Sequence, residues 1–187
     1  MSMERPANGR DEQWKTEVEH AVNEKDWTEL VQLARRDSGK VLRFLISHLC
    51  SGDARLKWKT VRALGVVAGD REGIGEDRIR EMLRRFVWLL SDESGNVPFG
   101  VPEAFGEVLV ARPEFQEEFL PLLCSLAYDS ERNQTGLIEQ GVFWALGRVG
   151  APVAACSPEA VEAVVRAAAE HADPETRNIA AWALSRF

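Results

Sequence analysis

A chain of 187 residues is about one domain long, and a fold of that size buries roughly 70% of the surface that its unfolded chain exposes, so a core needs no metal or disulfide staples. Hydrophobic residues at 45% and charged residues at 28% exclude disorder over most of the length. The 30 acidic residues outweigh 23 basic ones for a formal net charge of −7, and no run of Lys and Arg is dense enough to reward counterion release, so nucleic acid is not the expected partner.

The chain opens with MSMERPANGRDEQ, a polar stretch punctuated by Pro6 and Gly9 that has too few apolar groups to offset its ordering entropy. Residues 1–11 are therefore expected to be a flexible segment and 12–187 a single domain. No basic start followed by an apolar stretch opens the chain, and no run of 18 apolar residues occurs, which argues against a secretory signal or membrane span and for a cytoplasmic location. Two capping helices come first. One covers about 12–23; the other starts at Asp26, whose carboxylate can accept from first-turn amides while Glu29 takes the reciprocal capping-box position.

Four helix pairs follow, at 39–51 with 53–69, 77–91 with 97–111, 114–128 with 134–149, and 158–172 with 173–187. Pro98 and Pro102 oppose a regular helix through 95–101, so the second helix of that pair should start near Pro102. In the last pair Ser157 can cap with Pro158 at the first helical position, and Asp173 with Pro174 repeats the signal. No stretch alternates as a strand would. Cys50, Cys124 and Cys156 form no CxxC spacing and lie in or beside apolar helical stretches, so all three are expected to be free, buried thiols.

The second helices of the pairs repeat one another. Ala63-Leu64-Gly65 recurs as Ala104-Phe105-Gly106, Ala145-Leu146-Gly147 and Ala183-Leu184-Ser185, at spacings of 41, 41 and 38 residues. A period of about 40 residues suits two-helix repeats, and units that cannot bury both faces alone must stack into one continuous core. Asp173, Pro174, Glu175, Thr176 and Arg177 through Ala183 and Leu184 resemble the HEAT-like repeat of phycobilisome lyase subunits, whose pattern is Asp-Pro-x-x-Arg, then Ala, then Ala-Leu-Gly. Asp53 through Gly65 is similar but lacks the Pro, while GNVPFGVPEAFGE and GVFWALGRVG resemble bacterial HEAT-like proteins of unassigned function. The resemblance covers about 26–187 and implies an all-α fold, an α-α superhelix of about four helix pairs behind the capping helices. It also implies that the second helices line a concave groove.

With those helices aligned on the Ala of each triplet, positions −5, −1 and +3 share a face. They are Trp58, Arg62 and Val66; Phe99, Glu103 and Glu107; Gln140, Trp144 and Arg148; and Asn178, Trp182 and Arg186. Aromatic rings interleaved with Arg and Glu make a poor core and a good binding floor. An equally economical reading makes them structural, with Arg62 paired to Glu103, Glu107 paired to Arg148, and Trp144 and Trp182 filling gaps between units. The stretches from Asp92 to Ala104 and from Asp129 to Ala145 are longer than their counterparts, and insertions in repeat proteins often map to the binding face. Gly100 and Gly141 share position −4 and allow close approach by a ligand or by a neighbouring element. Free amides at the helix start, with Asn96 nearby, could hold an anion.

No HExxH, GxGxxG, GxxxxGK[ST] or GxSxG occurs, and His20, His48 and His171 are scattered, with His48 expected in the core. Glu103 and Glu107, one turn apart, could form an acid pair. The expected function is a scaffold or adaptor that binds a protein or peptide in its groove, with no metal, cofactor or catalytic residue assigned. A chromophore or small-ligand lyase, or a DNA-repair protein of similar fold, is the alternative that the resemblance leaves open. Self-association through Ala180, Trp182, Leu184 and Phe187 is a further expectation.

Overall fold

Short polar caps divide this chain into helices. The computed structural model describes residues 7–91, 99–128 and 138–187, which contain eleven α-helices, one 3₁₀ turn and no strand. Helices α1 (Ala7–Glu24) and α2 (Trp27–Arg36) come first, followed by α3 (Ser38–His48) with α4 (Ala54–Gly69) and α5 (Glu76–Leu90) with α6 (Val101–Ala111). A 3₁₀ turn at Pro113–Phe115 leads into α7 (Gln116–Ser125) and α8 (Glu139–Val149). The short α9 (Pro152–Cys156) precedes α10 (Pro158–Glu170) and α11 (Pro174–Leu184).

The caps are those that the sequence indicates. Asp53 accepts from the amides of Arg55 and Leu56, Ser157 from Ala160 and Asp173 from Thr176. Asp26 accepts from the Glu29 amide at 3.0 Å, but its own N–H donates to the Ala21 carbonyl, so the capping box is not closed by Glu29. The chain passes through Lys25 at φ 57°, which delivers that N–H to the end of α1.

Other boundaries differ from expectation. Helix α1 starts at Ala7 instead of about 12, through a stretch, Ala-Asn-Gly-Arg-Asp, that carries no apolar period to read. Helix α6 starts at Val101 with Pro102 in its first turn. The sequence reading missed α9, since five residues are too few to display a period. Residues 1–6, 92–98 and 129–137 lie outside the described residues, and with them the first parts of the two longer stretches, Asp92 to Ala104 and Asp129 to Ala145, and the first positions of the helices expected at 97 and 134.

The second helix of each pair packs on the next, α4 on α6, α6 on α8 and α8 on α11. A second layer covers them, with α3 on α4, α5 and α7 on α6, and α10 on α11. The triplet glycines set the spacing. A Cβ built on Gly106 would stand 2.9 Å from both Cα and Cβ of Ala145, and one on Gly147 would stand 2.7 Å from Cα of Ala183. Between the layers run Phe86, Phe105, Phe119 and Phe115, with successive ring centroids 6.0, 6.3 and 6.4 Å apart.

A buried arginine ties the loops together. Arg112 donates to the carbonyls of Ala68 and Ile74 at 3.2 and 3.0 Å and to Glu114 at 2.7 Å, and Glu114 accepts two further bonds from Arg71. Burial alone would raise the Glu114 pKa, but the bonds from Arg112 and Arg71 prevail and hold it at about 2. Two corrections concern single residues. Cys50 is exposed, whereas Cys124 is buried and Cys156 partly so, and burial followed by the neighbouring Cys156 pushes the Cys124 thiol up. His48 is half-buried and stacks on Phe44 at 4.1 Å instead of entering the core. No helix among the described residues is long and apolar enough to cross a membrane.

Gly106→Ala is expected to lower stability by roughly 1–3 kcal/mol in urea denaturation, since backbone atoms of α8 must give way, whereas Gly52→Ala, with nothing within 4 Å of the added carbon, leaves the midpoint within experimental scatter. Equal midpoints would mean that α6 and α8 separate without cost. The Glu114 cluster contributes fully above its ordinary pKa of 4.5 and loses its contribution as pH falls towards about 2. Wild type should therefore lose stability more steeply across that interval than Glu114→Gln, as read from urea midpoints, and parallel curves would remove the cluster from the acid response.

Candidate functional site

Helices α4, α6, α8 and α11 carry most of the stripe, with Phe99 in the turn before α6 and Arg186 beyond the end of α11, and the structure sorts its members into different environments. Glu107 is buried and accepts from Arg148 Nε at 2.7 Å and from Arg62 Nη1 at 3.3 Å, so one carboxylate joins α4, α6 and α8. The expected Glu107–Arg148 pair is present. Arg62, however, pairs with Glu107 and not with Glu103, because Glu103 lies a turn nearer the start of α6, where Lys57 Nζ reaches its Oε1 at 3.1 Å. The two glutamates have separate cationic partners and do not form an acid pair.

Glu103 is only 4% exposed, and its Oε2 is a buried oxygen with no hydrogen-bond partner among the described residues. Gly141 makes room for it, since a Cβ there would stand 2.7 Å from Oε2. Gly100, at φ 78°, is packed under the Leu49 carbonyl, which a Cβ would meet at 2.6 Å. Both glycines thus accommodate neighbouring protein atoms. The start of α6 places Glu103 in its first turn, where the helix dipole favours a negative charge and not an added anion. Asn96 lies outside the described residues.

A cavity of about 300 Å³ opens at this point, lined by Lys57, Trp58, Phe99, Glu103, Gln140 and Trp144 among others, with Glu175 and Ile179 from α11. Trp58 and Phe99 are 40% and 43% exposed. The rings of Trp58 and Trp144 meet edge to face at 4.9 Å across the intervening α6, and Trp144 stacks on Trp182 at 6.3 Å. Gln140 also has a structural role, donating to Asp173 and to the Thr176 hydroxyl across units. Hydrogen bonds from Thr176, side chain first and then amide, help to hold Asp173 at about 2. Trp182 covers Gly147, while Asn178 and Arg186 are exposed and do not line the cavity. Of the terminal residues considered for self-association, Ala180 is buried, Leu184 and Phe187 are half-buried, and Trp182 is exposed.

Trp58 is also a wall of a second depression, of about 640 Å³, lined by Lys25, Trp27, Ala54, Arg55, Lys59 and Arg62. Four cations surround two indoles there, whereas two carboxylates and one ammonium line the first cavity. Sequence reasoning missed this basic depression because its residues come from two segments, 25–27 and 54–62, that only the packing of the helices brings together. It also missed Lys57, which lies beside the stripe at position −6 and not on it. No group of three or more possible metal ligands occurs among the described residues. Compared with known protein families and with curated proteins, the sequence matches none.

Removing Glu107 tests whether the Arg62–Glu107–Arg148 cluster is structural. Glu107→Ala is expected to cost about 1–3 kcal/mol, below the range for fully buried pairs because both arginines reach solvent. Arg62→Ala, at the exposed end, should cost less than about 1 kcal/mol. Urea denaturation of both variants checks this, and an unchanged Glu107→Ala midpoint would free the carboxylate for a purely functional reading.

Proposed function

We propose that the chain is a HEAT-like adaptor whose stacked inner helices form a superhelical groove for a polypeptide segment. The repeated triplets, their period of about 40 residues and the ordered packing of α4, α6, α8 and α11 support the repeat reading. The observation that carries the binding reading is the cavity at Glu103, where three aromatic side chains surround a buried carboxylate beside partly exposed rings. Structural needs explain Glu107, Arg62 and Arg148, so the functional part of the stripe narrows to Trp58, Phe99, Glu103, Gln140 and Trp144, with Trp182 adjoining.

Charge separates a peptide from other ligands. A nucleic acid would present phosphates to every part of the groove, and Glu103 and Glu175 oppose them on one side of Trp58. A polypeptide of mixed charge suits both sides, with basic groups towards Glu103 and acidic ones towards Lys25 and Arg55. Aromatic anchors in partly desolvated pockets dominate such interfaces, where truncating one can cost ~2 kcal/mol or more.

Panning a random peptide display library on the immobilised full chain tests the proposal. Selected peptides should bind wild type and lose roughly tenfold or more in affinity against Trp144→Ala. Failure to select any sequence, or selection of peptides indifferent to Trp144→Ala, would refute the groove as the site.

A further inference from the structure

We infer that the cavity at Glu103 receives one organic cation, the ammonium or guanidinium of a Lys or Arg side chain in the bound segment, and that Lys57 is a resident cation with which it competes. This deepens the adaptor reading and rests on it for the source of the cation. The chemistry of the site stands separately.

The unpartnered oxygen is the starting point. A buried carboxylate oxygen without a donor is costly, because desolvation is not repaid by a hydrogen bond, and such groups are rare in folded proteins. Glu103 has this defect at Oε2 while its Oε1 is satisfied by Lys57. No second donor among the described residues is bonded to the carboxylate, and the cavity that it lines holds two carboxylates against one ammonium. The remaining acceptor and the net negative charge both call for a cationic donor.

The walls favour the same chemistry. Indole faces attract cations through their quadrupole, and this attraction is strongest where water is excluded. Trp58, Trp144 and Phe99 surround the carboxylate. Lys57 already shows the arrangement, with Nζ 4.8 Å from the Trp58 ring centroid and 3.1 Å from Glu103 Oε1. An ammonium from the same chain is therefore held by one carboxylate oxygen and one indole, and the other oxygen and the other indole are left to a second cation. About 300 Å³ lies at the lower end of the range for small-ligand sites, ~300–1,000 Å³, and suits a single side chain.

Gly141 is part of the device. Its missing Cβ lets Glu103 lie against α8, and any side chain there would push Oε2 out of place. Gly141→Ala therefore perturbs the carboxylate without touching a charge.

The test uses the full chain with N-acetyl-lysine methylamide and N-acetyl-arginine methylamide as cationic probes and N-acetyl-norleucine methylamide as a neutral, apolar control, read by shifts of the indole N–H resonances. The cationic probes should bind saturably and about tenfold tighter than norleucine. Glu103→Gln should reduce them to the norleucine level, Gly141→Ala should weaken them, and Lys57→Met should tighten them several-fold by removing the competitor. Urea midpoints of the variants confirm that each is folded, and Glu103→Gln, which preserves shape, serves if Gly141→Ala does not fold. Equal binding of norleucine, or cation binding indifferent to Glu103→Gln, would overturn the inference. Library-selected peptides that depend on Trp144 but not on Glu103 would overturn it and leave the adaptor intact. Cation binding that depends on Glu103 in a protein that selects no peptide would support this site and sink the adaptor.

Discussion

Helices α6 and α8 approach at Gly106 so closely that a single added carbon would collide with the backbone of Ala145. The same close approach recurs between α8 and α11 at Gly147, with Trp182 and Ala183 as the opposing atoms. Close crossing removes the space that large side chains would otherwise fill, so the inner layer is held by small residues at its centre and by long polar ones at its edge. Large apolar residues such as Phe86, Phe105, Phe115 and Phe119 lie at the interface with the second layer, within a core that runs from Val18 to Ala183. Apolar burial between layers supplies most of the stabilisation, and glycine spacing decides where the inner helices can sit.

That spacing also buries two glutamates. Side chains on α6 are flanked by α4 on one side and α8 on the other, and Glu103 and Glu107 are both buried, at 4% and 5% exposure. Glu107 has arginines on both sides and is satisfied through both oxygens. Glu103 has a lysine on one side and a glycine on the other, so one oxygen has no donor among the described residues. One turn of helix thus separates a structural ion cluster from a candidate receptor. The difference comes from the neighbours and not from the glutamates themselves.

The acidic chain nevertheless builds a local basic surface. Lys25 follows α1, while Arg55, Lys59 and Arg62 lie on α4, and their convergence around Trp27 and Trp58 is a product of α2 packing on α4. Net charge therefore describes the average field and not the field at a given depression. Two depressions of opposite sign that share Trp58 as a wall are better matched to a ligand of mixed charge than to a polyanion.

Helix content and most caps were legible in the sequence, because apolar periodicity and Asp or Ser caps act over one or two turns. The stripe was legible as a set of aligned positions. Its division was not: pairing of Arg62 with Glu107, capture of Glu103 by Lys57, and the meeting of Trp58 with Trp144 over α6 all depend on how far each side chain reaches across a helix crossing. The start of α1 and the short α9 were missed because propensity and a single turn leave no period to read. Local sequence decided which segments are helices and which residues share a face, since those are consequences of backbone geometry. Only the tertiary structure decided which charges are neutralised and which oxygen is left over, since Coulomb and hydrogen-bond partners come from residues some 40 positions away.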